Sequence, residues 1–555
     1  MTPLPADPIK PRLLGLVIVA VAFAYAPSLG GGWVWDDHAL IPNNAAIGDW
    51  FSLISTDLFG PSGRDSHVYR PLIALSFGIE QALLPGPFLP RLTNVVLLVF
   101  GALGLARWAR ATGATVPMAC FGAGVFALHP GISEGVAWIS GRQDLLPTVL
   151  LICAGASFYE RRDRTAALLL FLTPFAKENF VLIPLVIGLW CWTSDRWPRL
   201  PIFAAIAGSV SYLLTRWTLQ IPFVPDAGEI APLEAIGGLS SRFAELLVRP
   251  DRADALPTLM PSALLGAFAV LVVCIPLLRP KTRKIWGPVC SLLLLCGPGA
   301  LAAAHSLLAS DRYLLTAFAG LGLIAAHIEL PKHLVHLQKT TFAIAILMCL
   351  ALAGMTATRS ADWTSDRALF DAAYNAAPEN PRAAFHLAHA LHKYDGRCDL
   401  ALPLYTQARD DDRRALNNLL ACAVDSGDYP LALSLADEAL ASDPENSHPA
   451  SSAARAATAV GDLARAQAWA KEALRRDPEN GRNWVLLGNI SGQTKQYAES
   501  AEAFERALAI NPTDRAAIRG RETAQRLLAA EQSAEARNQP DAAPENESKD
   551  DRAQE

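Results

Sequence analysis

The segment RNWVLLGNISGQTKQYAESAEAFERALAINPTDR (residues 482–515) decides the fold of the C-terminal third of the chain. The preceding segment, HPASSAARAATAVGDLARAQAWAKEALRRDPENG (448–481), has the same length and a similar arrangement of small and apolar residues. Proline closes each unit and recurs every 34 residues, at Pro444, Pro478 and Pro512. Proline cannot continue a helix, and small residues at fixed positions let two helices approach closely. The pattern therefore predicts stacked helical hairpins.

A period of 34 residues with these features is the signature of tetratricopeptide repeats. Such arrays present a concave surface, so we expect an acceptor protein or peptide as partner; a spacer or self-association surface is the alternative. A capping helix is predicted at 516–530. The polar tail at 531–555 lacks apolar periodicity and is predicted to be disordered. The predicted units are 379–411, 413–447, 448–481 and 482–515.

The chain before residue 359 has a different character. Hydrophobic residues make up 52% of the 555 residues and charged residues 18%, and most of the excess of apolar residues lies in this part. We therefore predict an all-α protein: a transmembrane helix bundle at 1–358 followed by a repeat α-solenoid at 359–530. A span needs about 20 apolar residues. Eleven candidate spans lie at about 13–29, 88–106, 115–128, 144–159, 165–176, 179–193, 200–219, 257–278, 286–304, 313–328 and 340–357.

Positive charges between the apolar runs fall in alternate joints. Lys10 and Arg12 precede the first run, and each second joint after it is also basic. Cytoplasmic loops of membrane proteins carry an excess of Lys and Arg. The pattern predicts a cytoplasmic N-terminus and, with an odd number of spans, a repeat domain on the outer side. The net charge of -5 gives no reason to expect nucleic acid as a partner.

The nine cysteines show no spacing typical of a metal site, so none is predicted. Seven lie in apolar runs and are expected to be small buried hydrophobic residues. Cys398 and Cys422 fall in neighbouring helices of the repeats. Two buried free thiols are the favoured interpretation, and a disulfide in an outer compartment is the alternative.

The predicted outer joints carry the chemistry. WVWDDHALIPNN (33–44) follows the first apolar run and holds two adjacent acids, Asp36 and Asp37. A carboxylate at the membrane surface can act as general base toward a hydroxyl that attacks an anomeric carbon. Two adjacent acids can also bind a divalent cation, or they can be ordinary solvated loop acids. We favour Asp37 over Asp36 as the base.

Further charged and ring side chains cluster in the other outer joints. Ionisable groups at membrane level are costly and usually face a water-filled cavity. Cations there suit a donor whose phosphate lies at the bilayer surface, such as a polyprenyl-phosphate sugar. Pairing with local acids is the alternative for each cation. The candidate donor-binding residues are Arg70, His129, Glu134, Arg142, Lys177, Glu178 and Arg312.

Six runs occur in order ahead of the repeats: WVWDDHALIPNNAAI, YRPLIALSFGIEQAL, RLTNVVLLV, LHPGISEGVAWISGRQDLL, FAKEN and SDRYLLTAFAGLGL. Together they resemble the transmembrane and tetratricopeptide-repeat O-mannosyltransferases and bacterial relatives with the GT-C membrane glycosyltransferase fold. The resemblance implies inverting transfer of a sugar, mannose or another hexose, from a polyprenyl phosphate to protein Ser/Thr hydroxyls. It implies an acidic catalytic residue at Asp36 or Asp37. A bacterial chain would lie in the inner membrane, with its repeats in the periplasm.

Two other functions fit parts of the sequence. A ligase would transfer an oligosaccharide from a lipid diphosphate with the same outer-face residues. A non-enzymatic membrane scaffold would use the repeats to recruit partners for envelope assembly, and its outer-face cations would be replaceable. A transporter requires polar sites at mid-membrane or an internal repeat of the spans, and the sequence shows neither.

Overall fold

In the computed structural model, the described residues are 11–59, 68–221, 232–250, 264–265, 282–296, 310–329 and 338–538. Every regular element within these ranges is a helix, which confirms the predicted all-α class. The chain divides into two compact units, Met1–Ala377 and Pro378–Glu555. The domain boundary predicted after residue 358 falls inside a helix, Gln338–Asp362, and the first unit continues through one further helix.

The helices of the first unit are joined by short segments, several of which form single 3₁₀ turns. The first eight helices are α1 (Pro11–Leu29), α2 (Asp37–Leu40), α3 (Trp50–Ser55), α4 (Pro71–Leu83), α5 (Phe88–Ala111), α6 (Val116–Leu128), α7 (Ser133–Ala137) and α8 (Arg142–Tyr159). The following ones are α9 (Asp163–Leu172), α10 (Ile183–Ser194), α11 (Arg199–Thr218), α12 (Pro232–Val248), α13 (Arg283–Leu294), α14 (Leu315–Ala326), α15 (Gln338–Asp362) and α16 (Asp366–Ala376).

The predicted count of about eleven spans is not supported by the described residues. Three helices, Phe88–Ala111, Arg199–Thr218 and Thr340–Asp362, are long and apolar enough to cross a membrane, and a fourth span results if α6 and Pro130–Ala137 are joined across a bend of 56°. Several predicted runs are shorter as helices because turns interrupt them: the run at 165–176, for example, leaves α9 through a 3₁₀ turn that contains Pro174. The run at 257–278 lies outside the described residues, apart from 264–265.

Close helix crossings in the first unit depend on glycine. Helix α6 packs against α14, and α5 packs between α6 and α8. A Cβ atom on Gly122 of α6 would lie 2.2 Å from the carbonyl oxygen of Gly322 of α14. Only a residue without a side chain permits this approach of the two backbones. The crossing holds the joint after α6 beside the joint before α14, and both joints contribute to the candidate site.

The second unit confirms the predicted repeats. Each predicted unit contains one antiparallel helix pair, and the last helix follows as a cap that extends eight residues beyond its predicted end at 530. Residues 539–555 of the predicted tail lie outside the described residues. The helices are α17 (Pro381–Lys393), α18 (Cys398–Ala408), α19 (Arg413–Asp425), α20 (Tyr429–Ser442), α21 (His448–Ala459), α22 (Leu463–Arg476), α23 (Gly481–Gln493), α24 (Tyr497–Ile510) and α25 (Arg515–Asn538).

The repeat turns explain the sequence period. Gly427 and Gly461 connect the two helices of their units with positive φ angles, 81° and 82°, and glycine adopts this conformation at no steric cost. The position 34 residues further on is Lys495, which adopts the same left-handed conformation with φ 62°. The period therefore reflects a backbone requirement of the turn as well as close helix packing.

Candidate active site

Asp37 is a fully buried carboxylate whose hydrogen bonds hold the first joint, the segment 33–44 after α1, against the core. Its Oδ2 accepts a hydrogen bond from the Val34 amide at 3.1 Å, and its Oδ1 accepts bonds from the Ser140 amide at 2.9 Å and from the Ser140 hydroxyl. Burial raises the pKa of Asp37 to about 7, against the opposing effects of Ser140, Arg91 and Val34. Asp37 therefore positions the joint, and both of its oxygens are occupied by protein donors.

Asp36 lies next to this anchor but is half-buried rather than enclosed. Its backbone carbonyl accepts bonds from the amides of Ala39 and Leu40 and so begins the short helix α2. The carboxylate is within electrostatic range of the Arg312 guanidinium. Of the two acids, Asp36 is the more exposed residue.

Arg312 is held from several sides. Glu134 is almost completely buried and accepts bonds from the Arg312 amide at 3.2 Å, from its Nη1 at 3.1 Å and from the Ser310 hydroxyl. The guanidinium lies over the ring of Trp138, with its central carbon 4.9 Å from the centroid. Among the described residues, its side-chain hydrogen bonds start from Nη1 alone. Donors on the same planar group therefore remain for a ligand.

The preceding residue fixes the backbone at this point. Asp311 is buried and accepts two bonds from Arg242 of α12, from Nε at 2.8 Å and from Nη2 at 3.2 Å. A bidentate pair of this kind has little rotational freedom. Helix α12 thereby fixes the position of Asp311, and with it the backbone of the neighbouring Arg312. The sequence alone gives no sign of this partner.

Lys177 lies on the other side of the same cluster. Its ammonium group donates to Asp144 of α8 and lies 5.6 Å from the centroid of the Tyr313 ring. The second oxygen of Asp144 is 3.8 Å from Nε of Arg312. One carboxylate thus stands between two cations, Lys177 and Arg312. Asp144 was not among the predicted site residues, although it follows Arg142 by two positions.

A second ion pair adjoins the cluster. Arg70, just before α4, donates from Nε to Glu178 at 2.8 Å, from Nη2 to the other oxygen of the same carboxylate, and from Nη1 to Gln143. The charge of Asp144 acts on Arg70, and that of Lys177 acts on Glu178. The two predicted residues therefore lie within electrostatic range of the cluster, as a pair.

Arg142 and His129 lie apart from these contacts. The Arg142 guanidinium is fully buried and donates to Asn94, Ser76, Glu80 and the carbonyl of Pro90, each at 2.7 to 2.8 Å. These bonds tie α8 to α4 and α5. His129 accepts a bond from the Gly131 amide and packs on Phe318, 4.4 Å between ring centroids. Their role in donor binding stays a prediction. In the described contacts Arg142 links three helices by hydrogen bonds, and His129 packs against an aromatic ring.

A stack of three tryptophans and one acid far away in the sequence fix the conformation of the first joint. The rings of Trp35, Trp138 and Trp363 form a continuous stack with centroids 5.5 Å apart at each step. Trp35 has a positive φ of 54°, which is strained for a tryptophan. Asp366 on α16 holds this conformation, because its carboxylate accepts from the Trp35 amide at 2.8 Å and contacts His38 at 2.9 Å.

Two polar residues of α5 donate hydrogen bonds to backbone carbonyls of the segments that follow α1 and α6. Arg91 donates to the carbonyls of Gly32 and Ala137, and Asn94 donates to the carbonyl of Trp138 at 3.0 Å. Both belong to the run RLTN, whose sequence alone gives them no role. The arrangement combines a half-buried carboxylate at Asp36, two cations around Asp144 and a buried stack of tryptophans. Such a set can accept a proton from a hydroxyl and hold a phosphate.

Comparisons with known protein families match the helical repeats of the second unit. Family profiles described as "Tetratricopeptide repeat" match residues 391–447, 423–490 and 481–514. The second unit is a tetratricopeptide-repeat domain. Among solved structures, this chain is similar to the Sgt2 TPR domain from Aspergillus fumigatus, at 26% identity over 26% of this chain and 91% of that one, with a TM-score of 0.21. YrrB, a TPR protein with an unusual peptide-binding site, is 13% identical over 35% of this chain and 98% of its own, with a TM-score of 0.26.

Partial matches to curated proteins share one kind of name. "Protein O-mannosyl-transferase Tmtc2" of Drosophila melanogaster is 33% identical over 153 residues, 26% of this chain and 16% of the relative. "Protein O-mannosyl-transferase TMTC1" of Mus musculus is 32% identical over 182 residues, 31% and 19%, and TMTC4 of Homo sapiens is 32% identical over 169 residues, 26% and 22%. The chain is TMTC-like. The matched segments span less than a quarter of the length of each of these three relatives.

Proposed function

We propose that this protein is a membrane glycosyltransferase that moves a sugar, mannose or another hexose, from a polyprenyl phosphate to Ser or Thr hydroxyls of a protein. The observation that carries the proposal is the position of two cations, Arg312 and Lys177, on the one carboxylate of Asp144. The charge of Asp36 also acts on Arg312. The names of the TMTC relatives support the reaction class. The tetratricopeptide-repeat domain supports a protein acceptor.

In the proposed reaction Asp36 is the general base. It takes the proton of the acceptor hydroxyl as that oxygen attacks the anomeric carbon. The bond from the anomeric carbon to the phosphate oxygen breaks, and the lipid phosphate leaves with the electron pair. A single displacement of this kind inverts the configuration at the anomeric carbon. Arg312 and Lys177 stabilise the negative charge that develops on the phosphate.

The choice of Asp36 over Asp37 rests on access. A general base must come within about 2.6–3.2 Å of the proton that it abstracts. Asp37 is fully buried, and its two oxygens accept three bonds from Val34 and Ser140. Asp36 is half-buried and faces a cation. We therefore assign the base to Asp36 and the placement of the joint to Asp37, the reverse of the order favoured by the sequence.

The membrane arrangement is part of the proposal. Alternating basic joints favour a cytoplasmic N-terminus, with the active site and the repeats on the outer face. A GT-C type of bundle would place the lipid of the donor in the bilayer and its phosphate among the cations. A divalent cation beside Asp36 is a further element, and it is tested by adding a chelator to the assay.

Transfer from purified polyprenyl-phosphate mannose to Ser/Thr peptides, with the full chain in detergent, tests the function. Arg312→Gln is expected to lower the rate by about 10²- to 10³-fold, in the range seen when one donor to a developing negative charge is removed. The matched control is Arg283→Gln, since Arg283 binds the exposed Asp195 instead. Equal transfer by the wild type and Arg312→Gln would overturn the assignment, and the absence of transfer from a panel of lipid-phosphate sugars would overturn the function.

A further inference from the structure

Three soft or borderline metal ligands meet in the first part of the repeat domain. His392 is near the end of α17, Cys398 begins α18, and Cys422 lies near the end of α19. One ring nitrogen of His392 and the two sulfur atoms all lie within 4.8 Å of one another. The cluster plays no part in the proposed glycosyl transfer.

The distances suit a tetrahedral ion. Zinc binds sulfur at about 2.3 Å and imidazole nitrogen at about 2.0–2.1 Å, so two ligands at a tetrahedral angle lie about 3.5–3.8 Å apart. Ligand atoms already within 4.8 Å need to move by about 1 Å at most to reach that geometry. Cys422 is fully buried and Cys398 is 7% exposed. Their positions are therefore set by packing, and water offers little competition for them.

The surroundings match the usual support of a metal-bound histidine. The Nε2 atom of His392 lies 3.2 Å from Oδ2 of Asp425, and Oδ1 of Asp425 accepts a bond from Arg455 at 2.8 Å. A metal-binding histidine commonly donates its other ring N–H to a carboxylate. Asp425 would hold Nε2 in this way, and Nδ1 would exchange its long contact with the Tyr405 hydroxyl, at 3.5 Å, for the ion. Because both of its oxygens already have partners, Asp425 supports the site and is not a ligand.

We propose that His392, Cys398 and Cys422 bind one zinc ion, with water in the fourth position. Two thiolates and a neutral imidazole balance the charge of Zn²⁺, so the bound ion adds no net charge to a buried place. The ion would fasten the pair α17–α18 to α19 and so stiffen the start of the repeat array. Spacing alone did not reveal the site, because its third ligand is a histidine six residues before Cys398 and the fourth position has no protein ligand.

Cobalt titration of the full chain, purified in detergent with a phosphine reductant and stripped of metal, tests the site. We expect one equivalent of Co²⁺ to bind with a thiolate-to-cobalt absorption band and the visible bands of a tetrahedral ion. Zinc should displace it. Cys398→Ser, Cys422→Ser and His392→Ala should each weaken binding by at least about 10-fold, and Asp425→Asn should weaken it by about 10- to 100-fold.

Matched controls are Cys349→Ser and His448→Ala, which lie outside the cluster and should keep the full cobalt spectrum. If a variant fails to fold, X-ray absorption at the zinc edge of the wild type tests the site instead. The spectrum should show about two sulfur and two nitrogen or oxygen neighbours of the zinc ion. A spectrum unchanged in Cys398→Ser, or a zinc shell without sulfur, overturns the proposal. So does a Cys398–Cys422 disulfide in chain isolated without reductant, which would leave seven of the nine thiols titratable.

Discussion

The adjacent acids Asp36 and Asp37 have opposite roles in the proposed mechanism, and one pair of substitutions separates them. Asp36→Asn keeps the shape of a half-buried side chain and removes the base. We expect transfer to fall by about 10²- to 10⁴-fold, the usual contribution of general base catalysis. Stability should fall less than in Asp37→Asn, because Asp36 is half-buried and Asp37 is fully buried.

Asp37→Asn should have the reverse effect. An asparagine has one acceptor oxygen, whereas the Asp37 carboxylate accepts from the Val34 amide on one oxygen and from Ser140 on the other. In either orientation the amide NH₂ group faces a buried donor. An unsatisfied buried donor costs about 1–3 kcal/mol, so the free energy of unfolding should fall by about that amount. Transfer per folded molecule should fall less than in Asp36→Asn.

The assay compares initial transfer rates and thermal unfolding midpoints of both variants in the same detergent. Asp49→Asn is the matched control, since Asp49 is an exposed acid of the same joint that caps α3, and asparagine caps a helix equally well. The reasoning is refuted if Asp36→Asn transfers at the wild-type rate, or if Asp37→Asn unfolds like the wild type and loses transfer. The second result would return the base to Asp37.

Three further predictions follow from other contacts. Burial raises the pKa of Asp37 from 3.8 to about 7. Between these two pH values the folded state therefore binds more protons than the unfolded state, and the free energy of unfolding should fall as the pH rises from about 4 to 7. Denaturant titrations at several pH values should show this slope in the wild type and a flatter one in Asp37→Asn. Asp366→Asn removes one of two charge-assisted contacts to the first joint and should cost about 1 kcal/mol in thermal unfolding, while the exposed control Asp371→Asn should cost nothing measurable. Lys495→Gly relieves a left-handed lysine and should raise stability by up to about 1 kcal/mol, whereas Lys471→Gly, inside helix α22, should lower it.

The repeats could be predicted because each unit carries its own signal. Small residues at helix contacts and a turn glycine recur with the period, and these are local properties of the backbone. Ser500 occupies the position of Ala466 and is accommodated because its hydroxyl donates to the Gly488 carbonyl at 2.7 Å. A local sequence pattern therefore survives substitutions whose polar atoms find a backbone partner.

The span count failed for a physical reason that hydropathy does not record. Average hydropathy cannot distinguish one continuous helix from two short helices joined by a turn. At residues 128–142 the backbone leaves the helix twice, at His129 and Trp138, and the carbonyls freed there accept bonds from side chains such as Asn94. Irregular backbone in an apolar region requires such donors. They come from a distant helix, so the local sequence does not show them.

The candidate site was predicted as a set of charges but not as an arrangement. The sequence placed Glu134, Lys177 and Arg312 on one face. The contacts bring Lys177 and Arg312 to the same acid, Asp144, and pair Glu134 with Arg312. It gave no sign of Asp366, which reaches the first joint from 328 residues away along the chain. Contacts at such separations depend on tertiary packing, and a single sequence carries no pattern for them.

The pairing of every cation with an acid is compatible with donor binding because of how charge moves in the proposed reaction. Before transfer, Asp36 carries one negative charge and the phosphate of the donor carries another. As the proton passes to Asp36 and the bond to the sugar breaks, Asp36 becomes neutral and the leaving phosphate gains a charge. The total charge beside Arg312 stays constant while its position shifts toward the phosphate. A guanidinium fixed by Glu134 and stacked on Trp138 can serve both anions without moving, which is the preorganisation that electrostatic catalysis requires.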